Sequence, residues 1–172
     1  MTVMFSLFRQ QVDSSDLLRS KLYDQDSFYD TFISDLNRAE SEIIIESPFI
    51  SKSRMVGLLP VIRRASDRGI YIVVNTRHPQ EHDERNSVIA QAAIEQLQDI
   101  GVAVLYTGRL HRKVAIVDRQ ILWEGSLNIL SQSMSCEIMR RTNSIDLAKS
   151  MLRFTQLDRF LQPKKGTILG IR

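Results

Sequence analysis

The chain has 172 residues, of which 43% are hydrophobic and 25% charged, with a formal net charge of +3. That length and balance fit one globular domain with a real core, and they exclude a disordered or fibrous chain. The single cysteine, Cys136, has no intramolecular partner, so nothing demands an oxidising compartment, and its core-like flanks predict a buried thiol.

Residues 1–26 carry no decisive pattern and form an N-terminal segment of uncertain structure. Val3, Phe5 and Leu7 alternate as in a strand until Phe8 breaks the alternation, and residues 13–16 offer a cap or a turn. The start is apolar but short, without a basic leader or a small-residue cleavage site. No apolar run reaches membrane-spanning length, so the expected location is cytoplasmic, with no membrane partner.

From Ser27 the signal sharpens. Ser27 is placed to cap a helix whose Phe28, Phe32, Leu36 and Ala39 form one apolar stripe. The three isoleucines at 43–45 read as a buried strand, which stops at Ser47-Pro48 because proline cannot continue a ladder. A helix over 53–68 is expected to turn Val56, Leu59, Ile62 and Ala65 inward and to stop at Gly69. Pro60 marks either its start or a kink. Strand 70–74, a polar loop over 75–85, a helix over 87–100 and strand 102–105 follow. In that helix Ile89, Ala93, Leu97 and Ile100 line one face, and Gly101 ends it.

The polar loop contains His78-Pro79-Gln80-Glu81-His82, the order of zinc ligands in one class of peptidase. Pro79 and the preceding strand keep the two histidines off a common helical face, so no metal is expected there. Arg77 stands at a strand end, where ligands bind open sheets, and is a candidate phosphate contact; a solvated loop arginine is the plainer reading.

Residues 110–117 are mostly β-branched and apolar, as a buried strand is, and alternation puts His111 and Lys113 on one face. A return strand over 121–123 follows Asp118-Arg119-Gln120 and ends in Gly125-Ser126-Leu127-Asn128. There Gly125 lets the backbone approach a ligand, and Ser126 and Asn128 offer donors on one side. An imidazole, an ammonium, a hydroxyl and an amide together suit a phosphate, whose oxygens they hold while histidine attacks phosphorus. Alternation puts Asp118 on the opposite face, so a structural role with an arginine or a backbone amide is expected of it. A short polar connection then leads to an amphipathic helix over 145–161 with Leu147, Met151, Phe154 and Leu161, and to a basic tail over 162–172. Strands alternating with helices predict an α/β domain over 27–161: a mixed sheet flanked by helices on both faces, without an internal repeat.

His-x-Lys, four residues, Asp, six residues, Gly-Ser-x-Asn resembles the HKD motif of the phospholipase D superfamily, matched at His111, Lys113, Asp118, Gly125, Ser126 and Asn128. The resemblance extends over about residues 27–161 and implies a phospholipase D-like domain with no metal or other cofactor. It implies that His111 forms a phosphohistidine, that Lys113 and Asn128 hold the non-bridging oxygens, and that Ser126 assists. It also implies a carboxylate, here Glu137, that orients the histidine. Short members of the superfamily with one motif resemble dimeric, nonspecific endonucleases, which implies a homodimer with a composite active site.

Residues 109–172 hold 12 Lys and Arg against 5 Asp and Glu, including Arg109 and Arg112 as candidate substrate contacts. That half suits a nucleic-acid backbone, DNA in preference to RNA, with room for other nucleic-acid-processing subunits. A phospholipase or cardiolipin-type hydrolase and a non-catalytic nucleic-acid-binding protein are the alternatives.

Overall fold

The computed structural model describes residues 15, 19–131 and 135–161; the early strand, the early cap and the basic tail expected from the sequence lie outside these. Seven strands form one sheet: β1 (Ser20–Asp24), β2 (Glu42–Glu46), β3 (Tyr71–Thr76), β4 (Ala103–Tyr106), β5 (Val114–Val117), β6 (Ile121–Gly125) and β7 (Ile138–Asn143). Their spatial order is β1-β7-β6-β5-β2-β3-β4. β2, β3 and β4 run parallel, while β5 pairs antiparallel with β2 and opens an antiparallel series through β6 and β7 to β1.

Helices α1 (Phe28–Arg38), α2 (Lys52–Asp67) and α3 (Glu84–Asp99) cover one face, where Phe28, Phe32, Ile45, Ile62, Leu97 and Trp123 belong to the larger core. On the other face α4 (Ile145–Thr155) and the 3₁₀ turn Leu157–Phe160 lay Ala148, Leu152 and Leu157 on Ile44, Val73, Ile116 and Leu122. The domain is therefore a mixed sheet with helices on both faces.

Several elements differ from the sequence reading, each for a physical reason. The stripe of α1 is buried as its spacing predicts, but Ser27 makes no capping bond to the helix; its hydroxyl donates to Asp24 instead. In α2 the inward residues are Met55, Leu58, Val61, Ile62 and Ala65, and Val56 is 71% exposed. The helix begins at Lys52, capped by Ser51, and passes through Pro60, which lies on the exposed side where water can solvate the carbonyl that proline leaves unpaired. In α3 Ala90 and Ile94 are buried, whereas Ile89 is only half-buried.

Residues 138–143, read as part of a polar connection, form β7. Its arginines conceal it. Arg141 faces the helices but is neutralised by Asp35 of α1, through bonds of 2.8 and 2.9 Å, and Asp35 also accepts from the Trp123 indole. Cys136 precedes β7 and is exposed, because it lies outside any packed element. The last helix stops at Thr155, since Gln156 adopts φ 59°, and its Phe154 is 78% exposed. Ser20–Asp24, for which the sequence offers no clear element, is one of the two edge strands.

The turn between β5 and β6 fixes the far end of the central hairpin. Three residues link the paired Val117 and Ile121; Asp118 and Arg119 both have φ 55°, a left-handed pair that reverses the chain, and Gln120 N–H donates to the Val117 carbonyl. The Asp118 carboxylate accepts from the amides of Glu40, Ser41 and Glu42 and from the Ser41 hydroxyl, at 2.7–3.2 Å. Arg119 forms a two-point pair with Glu42.

Burial pushes the Asp118 carboxyl up, but these donors hold it below its ordinary 3.8. Its stabilisation is therefore complete above the unfolded value and is lost as pH falls through the lower folded value. Asp118→Asn should cost roughly 1–3 kcal/mol at neutral pH. Urea titrations should show the variant and wild type converging in strong acid.

Candidate active site

The parallel strands β2, β3 and β4 end where the antiparallel β5 begins, so the loops after them share one sheet end with the approach to β5. Residues 110–113 are not strand; β5 proper starts at Val114, and His111 and Lys113 lie on the segment leading into it. They meet nonetheless. Lys113 Nζ is 2.9 Å from His111 Nδ1 and donates to the His111 carbonyl at 2.7 Å. The imidazole is exposed while the lysine is buried. Burial holds the Lys113 ammonium below its usual range and Arg77 adds to that, against the opposing pull of Glu137.

Gly125 joins the second half of the motif to the first, because its N–H donates to the Lys113 carbonyl. A Cβ at Gly125 would stand 2.1 Å from the Ile138 carbonyl oxygen and 2.9 Å from Met139 Cα. The backbone that comes close here belongs to β7, and that contact requires glycine. Ser126 continues the junction: its N–H donates to the Ile138 carbonyl, and its hydroxyl accepts from Ile138 N–H at 3.1 Å.

Glu137 hydrogen-bonds Ser126 and Ser135, and these bonds, with the Lys113 charge nearby, hold its carboxyl below the usual range despite some burial. Among the described residues it makes no hydrogen bond to His111; the histidine nitrogen expected to face it faces Lys113. Asn128 Oδ1 is buried without a hydrogen-bond partner among the described residues. Its loop is firmly held: Tyr29 donates to the Ile129 carbonyl, Leu130 N–H to Ser47 Oγ, and Ser51 N–H to the Leu130 carbonyl.

Of the arginines, Arg77 is tied to the motif, with Nε donating to the Leu110 carbonyl at 2.7 Å. Arg112 turns away into a two-point pair with Glu46, both bonds 2.7 Å, and that partner raises its pKa. Arg109 is exposed, on a turn with φ 54° that is fastened by its N–H to Glu81. Asp118 lies at the opposite end of β5 and takes no part.

Sequence reasoning missed Glu46. It is fully buried at the end of β2 and also accepts from Asn75, which in turn bonds Thr107. Its signal was a carboxylate closing a run of three isoleucines. The histidines of the His-x-x-Glu-His run separate: His78 packs on Tyr106, with ring centroids 4.9 Å apart, and His82 packs on Phe49 at 5.2 Å.

The same architecture occurs in solved structures. Nuc, a phospholipase D family member from Salmonella typhimurium, superposes with TM-score 0.66 at 21% identity, covering 82% of this chain and 93% of its own. NucT from Helicobacter pylori gives TM-score 0.64 at 18% identity, with 80% and 93% covered. TrmBL2, described as an archaeal chromatin protein with a novel mode of DNA binding, gives 0.57 at 14% identity, with 90% and 55% covered. No curated protein sequence matches the chain. The family model described as cardiolipin synthase, PLD-like domain, matches residues 32–156. With most of its length accounted for in this way, the chain belongs to the phospholipase D superfamily.

Proposed function

We propose that the chain is a metal-independent phosphodiesterase that cleaves the nucleic-acid backbone through a phosphohistidine at His111. The observation that carries this reading is the Lys113 ammonium against an exposed imidazole at a shared sheet end, beside Gly125, Ser126 and Glu137. An ammonium has only donors, so it meets a lone pair at Nδ1, and the ring keeps its proton on Nε2. Attack needs Nε2 bare. A phosphate oxygen entering the site draws the ammonium away, Nδ1 takes the ring proton, and Glu137 supplies the charge that holds it.

Nε2 then forms the bond to phosphorus as the bond to the leaving oxygen breaks. A second imidazolium protonates that oxygen and later takes a proton from the water that breaks the P–N bond. Lys113 and Asn128 hold the non-bridging oxygens, and Ser126 positions Glu137. His78 and His82 are engaged elsewhere, so the second imidazole is supplied by His111 of another copy across a two-fold axis.

Nucleic acid is favoured as substrate by the basic residues 109–172, by Arg77 beside the motif, and by the likeness in fold to Nuc and TrmBL2. DNA is preferred over RNA in this reading, the site is cytoplasmic, and other subunits are compatible with it. One observation favours lipid instead. A groove of about 460 Å³ beside Lys113 has Arg112, Glu124 and Arg140 in its lining, and its apolar part, Leu22, Ile138, Met151 and Phe154, fits an acyl chain. Parallel assays on oligonucleotides and on phosphatidyl lipids in micelles separate the two. Among the described residues no helix is long and apolar enough to cross a membrane.

Cleavage should persist in excess EDTA and vanish in His111→Ala, and Lys113→Ala should raise the barrier by at least roughly 2.7–4 kcal/mol. Complete loss on chelation, restored by magnesium or zinc, contradicts the reading. Sedimentation at micromolar concentration should give a dimer, and mixing wild type with His111→Ala chains should yield heterodimers impaired in multiple turnover. A monomer with full activity rules out the shared site.

A further inference from the structure

Two aromatic pairs lie on the active-site end of the sheet and belong to neither core. Tyr106 closes the edge strand β4, is 45% exposed, and meets the His78 ring edge to face at 61°. Phe49 follows β2, is half-buried, and packs on His82. Arg77 directly precedes His78 in the chain and reaches the Phe49 ring. Its guanidinium lies 5.0 Å from the Phe49 ring centroid, and its Nε holds the carbonyl of Leu110, one residue before His111.

The two segments carrying these rings are cross-linked to the motif at a second point, because Glu81 accepts from Arg109 N–H. Thr107 N–H donates to the Thr76 carbonyl and Leu110 N–H to that of Thr107, so the turn from Tyr106 to His111 is short and closed. Tyr106 is thus a half-exposed ring on a segment fixed by backbone bonds, five residues before His111.

We propose that Tyr106 with His78, and Phe49 with His82, form a nucleobase-stacking subsite that makes the site selective for single-stranded nucleic acid. The inference rests on the nuclease reading above and sharpens its substrate. A chain whose phosphates follow Arg77, Lys113 and His111 brings its bases past these rings. Base–aromatic stacking tolerates any base, since each has a π-face, but in a duplex those faces are already covered by neighbouring bases. Arg77 serves both parts: charge for a phosphate, and a planar guanidinium over Phe49 that fixes the slope of the platform.

The test compares a single-stranded oligonucleotide with one of the same length and phosphate number carrying abasic sites. Phosphate contacts are common to both, so the ratio of their kcat/KM values isolates the bases. Tyr106→Ala should lower that ratio by roughly 5- to 150-fold, the range that a lost stack represents. Tyr106→Phe, which keeps the ring, should retain it, and Phe49→Leu should lower it independently. Wild type should also prefer the single strand to its duplex. If wild type cleaves both oligonucleotides and Tyr106→Ala leaves the ratio unchanged, the subsite is wrong and the nuclease reading stands. If wild type cleaves neither but hydrolyses phosphatidyl lipid, the nuclease reading fails and the subsite falls with it.

Discussion

β5 is the middle strand of seven, buried on both faces, and its position decides where everything chemical can sit. Val114 and Ile116 face α4, Ala115 and Val117 face the three other helices, and neither set can shift without exposing a core. Its ends are therefore fixed points. At one end Asp118 locks the hairpin to β2 through three amides and a hydroxyl. At the other the chain leaves the sheet as Lys113, Arg112 and His111, and there the His111 imidazole reaches solvent. The motif's aspartate and its histidine thus serve one strand from opposite ends, the first holding it in register and the second using the position.

Buried carboxylates extend the same logic across the sheet. Glu46, Glu42 and Asp35 each meet an arginine from a different part of the chain in a two-point pair. A buried pair of this kind adds little net stability, because desolvation offsets attraction, yet loss of one partner leaves a charge stranded. Their value is in specifying neighbours: Asp35 sets α1 against β6 and β7, Glu42 sets β2 against the hairpin turn, and Glu46 sets β2 against Arg112. The last lies within the segment that carries His111 and Lys113. With Arg112 held inward, His111 and Lys113 on either side of it are left to meet each other.

Legibility in the sequence followed how the residues are used. The apolar strands, the stripe of α1 and the spacing from His111 to Asn128 could be read directly, because burial and motif both leave periodic marks. β7 could not, since its two arginines look solvent-facing until Asp35 is known to neutralise one of them. The stripe of α2 was misjudged by one residue: Val56 and Met55 are equally apolar in the sequence, and only packing decides between them. Gly125 was recognised for close approach but assigned to a ligand, when Ile138 is the neighbour that needs the space. Glu137 was expected to orient His111, but its contacts run to serines, and the partner of His111 Nδ1 is Lys113.

The proposed chemistry turns on whether phosphorus is attacked by the protein or by water. Two successive displacements, first by His111 Nε2 and then by water, each invert the centre and together restore it. An oligonucleotide with one phosphorothioate linkage of known configuration, cleaved in isotopically labelled water, yields a product whose chirality records the number of steps. The account predicts net retention at phosphorus. Net inversion means a single direct attack by water, and would contradict the phosphohistidine on which the proposed function rests.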